Sequence, residues 1–320
     1  MHRRSLLKAA FSAALAPSVA RAQAWPAKPI RFIVPYIPGS APDVIARTLA
    51  ERLSPALGQS LVIENRAGAG GNIGTELAAK AAPDGYNIAL ATSAIVTNPW
   101  LYRKVGYDPV NDFTAIHFSI SMPHLLVVAA DAPVRTVADL LAMLKDSPGK
   151  FNYASGGNGS GAHLATELFK SMAGVDMVHV PFKGAPEIIT SVISKTTLCG
   201  CPTLATAVPQ VKGGRLRAIA VTGAKRNHAL PEVPTVGETV AGYEFASWFG
   251  LVAPAKTPME VVRRIDAEAQ KALQDPAFRS KVQADGTEVV NLGHAEFAAH
   301  IKADYAKFKR VVELSGARVD

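Results

Sequence analysis

Apolar and polar positions along the chain switch repeatedly between a period of two and a period of 3.6. Ile30 to Val34 is an apolar run rich in β-branched residues that stops at a Pro/Gly/Ser turn reaching Asp43. Beyond it Val44, Ile45, Leu49, Leu53 and Leu57 recur at helical spacing until Gly58. A second strand follows at Ser60 to Glu64, so the chain opens as a βαβ unit. A glycine-rich stretch then leads into a helix carrying Leu77, Ala78 and Ala81, Pro83-Asp84-Gly85 makes a turn, and Tyr86 to Ala91 reads as a strand ending at Thr92-Ser93. From Asn98 to Asp112 the pattern is irregular, with Pro99, Pro109 and scattered aromatics.

Alternation restarts with a strand at Leu125 to Ala130. Helices are expected near Val137–Leu144, Ala162–Ala173, Pro186–Ile193 and Leu204–Lys212, with strands at Phe151–Ala154, Met177–Pro181, Thr197–Cys201 and Leu216–Val221. After a Pro-containing loop comes a strand at Ser247–Ala253, then helices at Met259–Leu273, Pro276–Ala284 and Ala295–Ser315. This order describes two α/β units with a C-terminal set that returns to cover the first, the arrangement of a two-lobed protein that closes about a hinge. No repeat of solenoid type is present.

Two loops carry the candidate chemistry. The first turn of a helix leaves backbone N–H groups unpaired at the positive end of its dipole, so a strand–loop–helix junction made of small residues suits an anion. Gly39, Ser40 and Ala41 form one such loop, and the same residues also fit an ordinary strand, turn and capped helix. Ser155-Gly156-Gly157-Asn158-Gly159-Ser160-Gly161 forms a second, followed by His163. Thr92 and Ser93 place two hydroxyls at a strand's C-terminal end, the edge where open α/β sheets bind ligands. Gly68-Ala69-Gly70-Gly71-Asn72-Ile73-Gly74 is no dinucleotide fingerprint, because Ile73 stands where the third glycine belongs and no Walker lysine follows. Cys199 and Cys201, two apart on one strand, are too close for an unstrained disulfide and read as small buried residues. No spacing suggests a metal site, and no cofactor is indicated.

Composition narrows the class further. A chain of 320 residues with 48% hydrophobic content is long enough for two folded domains. Arg3, Arg4 and Lys8, the apolar stretch Ala9 to Ala16 and a small-x-small site predict a secretory signal over residues 1–24, cleaved near Ala22 or Ala24. The paired arginines fit either ordinary or twin-arginine export. Without Arg3, Arg4, Lys8 and Arg21, the 34 basic residues fall to 30 against 26 acidic, a net charge near +4. That mild, scattered charge excludes a nucleic-acid binder.

Several blocks, in order over nearly the whole mature chain, carry a family resemblance: Pro35-Tyr36-Ile37-Pro38-Gly39, Glu64-Asn65-Arg66 with Gly68 to Gly74, Ala81 to Tyr86, Asn152 to Ser155, His179 to Gly184, Leu230 to Thr235, and Ser247-Trp248-Phe249-Gly250-Leu251. They resemble the Bug family of exported solute receptors, partners of tripartite tricarboxylate transporters. The resemblance implies a periplasmic, bilobal α/β periplasmic-binding-protein fold (Venus flytrap, type II-like) that holds a small carboxylate in its cleft. It implies a first domain of 25–122 and 223–320 and a second of 123–222, a monomer working with membrane transporter subunits or a sensor kinase. Carried over by position, the ligand contacts are Tyr36, Gly39, Ser40 and Ala41 on one side, Ser155, Gly157, Asn158, Ser160 and His163 on the other, Thr92 and Ser93 at the base, and Lys183, Gly184 and Ala185 at the rim. Ile37, Ser40 and Pro42 depart from the family's loop, as does Ser194-Lys195-Thr196-Thr197 further on, and these are where ligand choice is expected to differ. A ligand sensor for a two-component system, or an exported hydrolase using Ser155 or Cys201, are the competing readings; no G-x-S-x-G elbow supports the last.

Overall fold

The computed structural model describes residues 25–283 and 286–319, so the expected signal over 1–24 lies outside it. The first lobe is built on a six-stranded sheet. Strand β1 (Ile30–Val34) pairs in parallel with β2 (Leu61–Asn65) and β3 (Asn87–Thr92). It is buried along nearly its whole length, as central parallel strands are. Helix α1 (Ala41–Leu57) connects β1 to β2, its apolar stripe on the sheet, and ends where Gly58 turns left-handed at φ 76°. A left-handed residue there lets the chain's N–H reach back to the Ser54 and Pro55 carbonyls, which glycine does without a Cβ clash. A short turn at Ala69–Gly71 and helix α2 (Asn72–Ala79) lead to β3, and helix α3 (Ala94–Leu101) follows it.

Three elements depart from the pattern expected. Helix α3 forms where no element is expected, its last four residues lying in the stretch from Asn98 that reads as irregular, because Ile95, Val96, Thr97, Asn98 and Leu101 are all buried and no polar face marks a helical period. Strand β4 (Phe113–Pro123) runs for 11 residues with His117 and Ser119 fully buried, so its polar residues disguise a central strand. His117 meets its partner, Asp266, 2.8 Å away across the core. Strand β11 (Glu288–Leu292) is a half-buried edge strand that pairs with β4. The first sheet thus reads β11-β4-β10-β3-β1-β2, with β10 (Ala246–Pro254) antiparallel to both neighbours.

The second lobe holds a five-stranded sheet in the order β7-β6-β8-β5-β9. Its strands are β5 (Leu125–Ala129), β6 (Asn152–Ser155), β7 (Val178–Pro181), β8 (Cys199–Gly200) and β9 (Leu216–Val221). Between them run α4 (Val137–Asp146), α5 (Gly161–Ala173), α6 (Ala185–Ile193) and α7 (Leu204–Lys212). Both cysteines are free and buried, as the sequence suggests.

The chain crosses between lobes at two adjacent points. His124 is the single residue between β4 and β5, and Thr222 follows β9. These two are clamped: His124 N–H donates to Thr222 Oγ1 at 2.7 Å, and Thr222 N–H donates to the His124 carbonyl at 2.9 Å. After β10 come α8 (Met259–Gln274), α9 (Pro276–Gln283), β11 and α10 (His294–Ser315). Helix α8 covers β4 and α1, as a returning C-terminal segment should. Helix α10 packs on α3 and β4 and also on α5 of the second lobe, so one hydrophobic core runs through both lobes.

A cleft between two helix N-termini

A cavity of about 340 Å³ lies between the lobes. From the first lobe it is lined by Tyr36, Pro42 and Gly70, and by a single stripe of α3: Ser93, Ala94, Thr97, Asn98, Leu101 and the following Tyr102. From the second come Asn158, Gly159, Ser160, Gly161 and Leu164, the glycine-rich loop and first turn of α5. Phe245, just before β10, and Ser247, Trp248 and Phe249 of β10 form the base, with Phe308 of α10 and Val319 of the tail completing it.

The polar end of this cavity is where α3 and α5 begin. Ser93 N–H donates to the Trp248 carbonyl at 3.1 Å, tying the start of α3 to β10. A methyl group on Gly161 would sit 3.0 Å from Ser247 Oγ, so the start of α5 touches the same strand. Two positive helix ends therefore converge on the Ser247–Trp248 step of β10 from opposite lobes, and Ser160 Oγ caps α5 by accepting from the His163 N–H at 3.3 Å. Thr92 supports the base: its Oγ1 accepts from the Ala94 N–H at 3.2 Å and lies 3.0 Å from the Tyr36 hydroxyl. Burial raises the Tyr36 pKa, so its phenol stays protonated and able to donate.

Ser247 is oriented from behind. The His124 Nδ1 lies 2.7 Å from the Cys201 carbonyl, which can only accept, so Nδ1 carries the proton. Nε2, 3.0 Å from Ser247 Oγ, then accepts from that hydroxyl, which turns its lone pairs outward. Burial pushes the His124 pKa down to about 4, which keeps the imidazole in this neutral form.

The other sequence-predicted residues occupy different places. Ser155 is fully buried under the glycine-rich loop, its Oγ accepting from Gly157 N–H at 3.1 Å and lying 2.5 Å from His179 Nε2. His163 is also buried, and its Nδ1 accepts from Gly159 N–H at 3.1 Å. Its ring stacks on His179 with centroids 4.1 Å apart, and burial lowers both pKa values, that of His163 to about 3. Lys183, Gly184 and Ala185 lie behind the loop, where the Gly184 Cα would approach a methyl on Gly156 at 3.5 Å. None of these, nor Gly157, lines the cavity.

Gly39, Ser40 and Ala41 are likewise off the cavity, and Gly39 and Ala41 line a separate apolar groove beside Val44 and Phe278. The N-terminus of α1 already holds an anion, its own Asp43. Gly39 N–H donates to Asp43 Oδ2 at 2.8 Å, Asn65 Nδ2 to Oδ1 at 2.8 Å, and Arg47 Nε to Oδ2 at 2.9 Å. The Arg47 hydrogen bond leads in lowering the Asp43 pKa to about 2.

Reading the sequence missed Asn98, Leu101 and Ser247 as cavity residues. Ser247 sits in a block already singled out for family resemblance, whereas Asn98 and Leu101 belong to a helix with no visible period. Among the described residues no cluster of His, Cys, Asp and Glu suits a metal ion, and no helix is long and apolar enough to cross a membrane.

The profile of the tripartite tricarboxylate transporter family receptor matches residues 45–316. Protein BugT of Bordetella pertussis is 32% identical over 303 residues, covering 93% of this chain and 92% of its own length. The adipate-bound structure of Rpa4515 from R. palustris superposes with a TM-score of 0.75 at 36% identity, over 92% of this chain and 100% of that one. MatC from Rhodopseudomonas palustris with bound malate gives 0.70 at 26% identity, over 90% and 100%.

Proposed function

We propose, from the premise that this chain belongs to the tripartite tricarboxylate transporter receptor family, that it captures a small carboxylate in the cleft between α3 and α5. The chain is a solute receptor of a periplasmic family. In the cycle we infer, residues 1–24 direct export and are removed. Residues 25–122 with 223–320 then form one lobe and 123–222 the other, hinged at His124 and Thr222. The carboxylate sits against Ser93, Ser160 and the first-turn amides of the two helices, with Thr92 and Tyr36 behind and Asn158 at the edge. Ser155, Gly157, His163 and His179 shape the glycine-rich loop from below. Gly39 and Ala41 belong to a separate groove beside α1, and Lys183 to Ala185 back the glycine-rich loop.

The observation that carries this reading is the meeting of two helix N-termini, one from each lobe, in a cavity that no Asp or Glu lines among the described residues. A ligand that touches both helices exists as such only in the closed form, so its binding shifts the lobes toward closure. The closed, monomeric receptor then delivers the ligand to the membrane subunits of its transporter. The relatives bound to adipate and malate support carboxylate as the ligand class. A hydrolase is poorly supported: Ser155 has no exposure, and burial raises the Cys201 thiol to about 12.

Native mass spectrometry of the freshly purified mature protein, followed by thermal unfolding with a carboxylate panel, tests this. A ligand at about 100 times its Kd contributes roughly 2.7 kcal/mol, a shift of a few degrees in Tm. Absence of any retained or stabilising carboxylate across the panel overturns the proposal.

A further inference from the structure

We propose that the cleft selects monocarboxylates with an apolar body over dicarboxylates of equal length, Leu101, Leu164 and Val319 receiving the apolar end; this rests on the carboxylate reading above. The cavity has a direction. It follows one stripe of α3 from Ser93 to Leu101, about 12 Å at 1.5 Å per residue. At its start are the positive ends of α3 and α5. At its far end are the last carbonyls of α3, the negative pole of that helix. Those carbonyls are already engaged by the tail: Val319 N–H donates to the Leu101 carbonyl at 3.2 Å and Arg318 Nη1 to that of Trp100 at 2.9 Å.

The far end is tight, and apolar side chains meet there beside the neutral Tyr102 and Asn158, whose amide already donates to the Arg318 carbonyl. A methyl on Gly159 would lie 2.8 Å from Leu101 Cδ1 and 3.4 Å from Val319 Cγ2, so the glycine-rich loop, α3 and the tail meet there. Leu164 and Phe308 extend the same wall. Among the described residues no Lys, Arg or His lines the cavity, and the Arg318 guanidinium belongs to a separate pocket beside Arg103 and Trp100. A second carboxylate at this end would lose water without gaining a cation and would face helix carbonyls, whereas a methyl or ring edge would bury apolar surface. At about 340 Å³ the cavity has room for a small organic acid.

The test is calorimetric titration of the mature protein with chain-matched pairs: butanoate and succinate, hexanoate and adipate, octanoate and suberate. The expected result is that, in each pair with measurable binding, the monoacid binds at least about tenfold tighter. A diacid that binds as tightly as its monoacid, or more tightly, overturns the inference and leaves the receptor reading standing. If no carboxylate of any kind binds, the receptor reading falls and this one with it. Val319→Lys, at a position 41% exposed and so tolerant of substitution, places a cation at the far end. It should shift the ratio at least about threefold toward the diacid with Tm unchanged; an unmoved ratio overturns the assignment of that end.

Discussion

His124 does two jobs with one ring: it bonds the Cys201 carbonyl of the second lobe and orients Ser247 at the base of the cavity. Both need a neutral imidazole, and burial supplies it by lowering the pKa from 6.5 to about 4. The unfolded chain takes up this proton at a higher pH than the folded one does. Stability is therefore complete above about pH 6.5 and lost as pH falls toward 4, by up to about 3 kcal/mol for this residue. Urea unfolding at pH 7 and pH 4.5 should show the loss, and His124→Gln should be less stable at pH 7 but flatter between the two. An equally steep loss in the variant would shift the cause to His117, His163 and His179, which burial depresses in the same direction. The sequence marks Ser155 and His163 as polar residues in a glycine-rich loop. It does not tell which side of the loop they occupy, because that depends on Tyr153, Glu167 and His179 packed beneath.

The helices divide by what sits at their N-termini. Helix α1 carries its own buried carboxylate, Asp43, in its first turn, whereas α3 and α5 begin at the cavity. Asp43→Ala should cost about 1 to 2 kcal/mol of stability through loss of the hydrogen bonds from Gly39, Asn65 and Arg47, while carboxylate affinity stays within about twofold. A collapse of affinity in a variant that remains folded would make α1 part of the seat. The boundaries of α1 are legible because its buried and exposed faces differ in composition, and Gly58 ends it visibly. Helix α3 and strand β4 are not, since burial removes the contrast that a period needs, and the buried polar residues that pair do so far along the chain, His117 with Asp266 and Asn98 with Asn72.

The tail ties the lobes together, as Val319 bonds α3 while Asn158 of the glycine-rich loop donates to the Arg318 carbonyl at 3.3 Å. A chain ending at Gly316 should lose about 1 to 2 kcal/mol from these bonds. Without ligand it should also show a larger radius of gyration by small-angle scattering; an unchanged radius and affinity would leave the tail no part in closure. The sequence by itself determined the order of most elements, the two α/β units and the family, because strand and helix periods, turns and motif blocks are properties of neighbouring residues. Only the tertiary structure decided which helix ends stay open to an anion and what the cavity's far wall is made of. Those depend on residues brought together from far apart, Leu101 with Val319 and His124 with Ser247, whose contacts leave no mark in any local pattern.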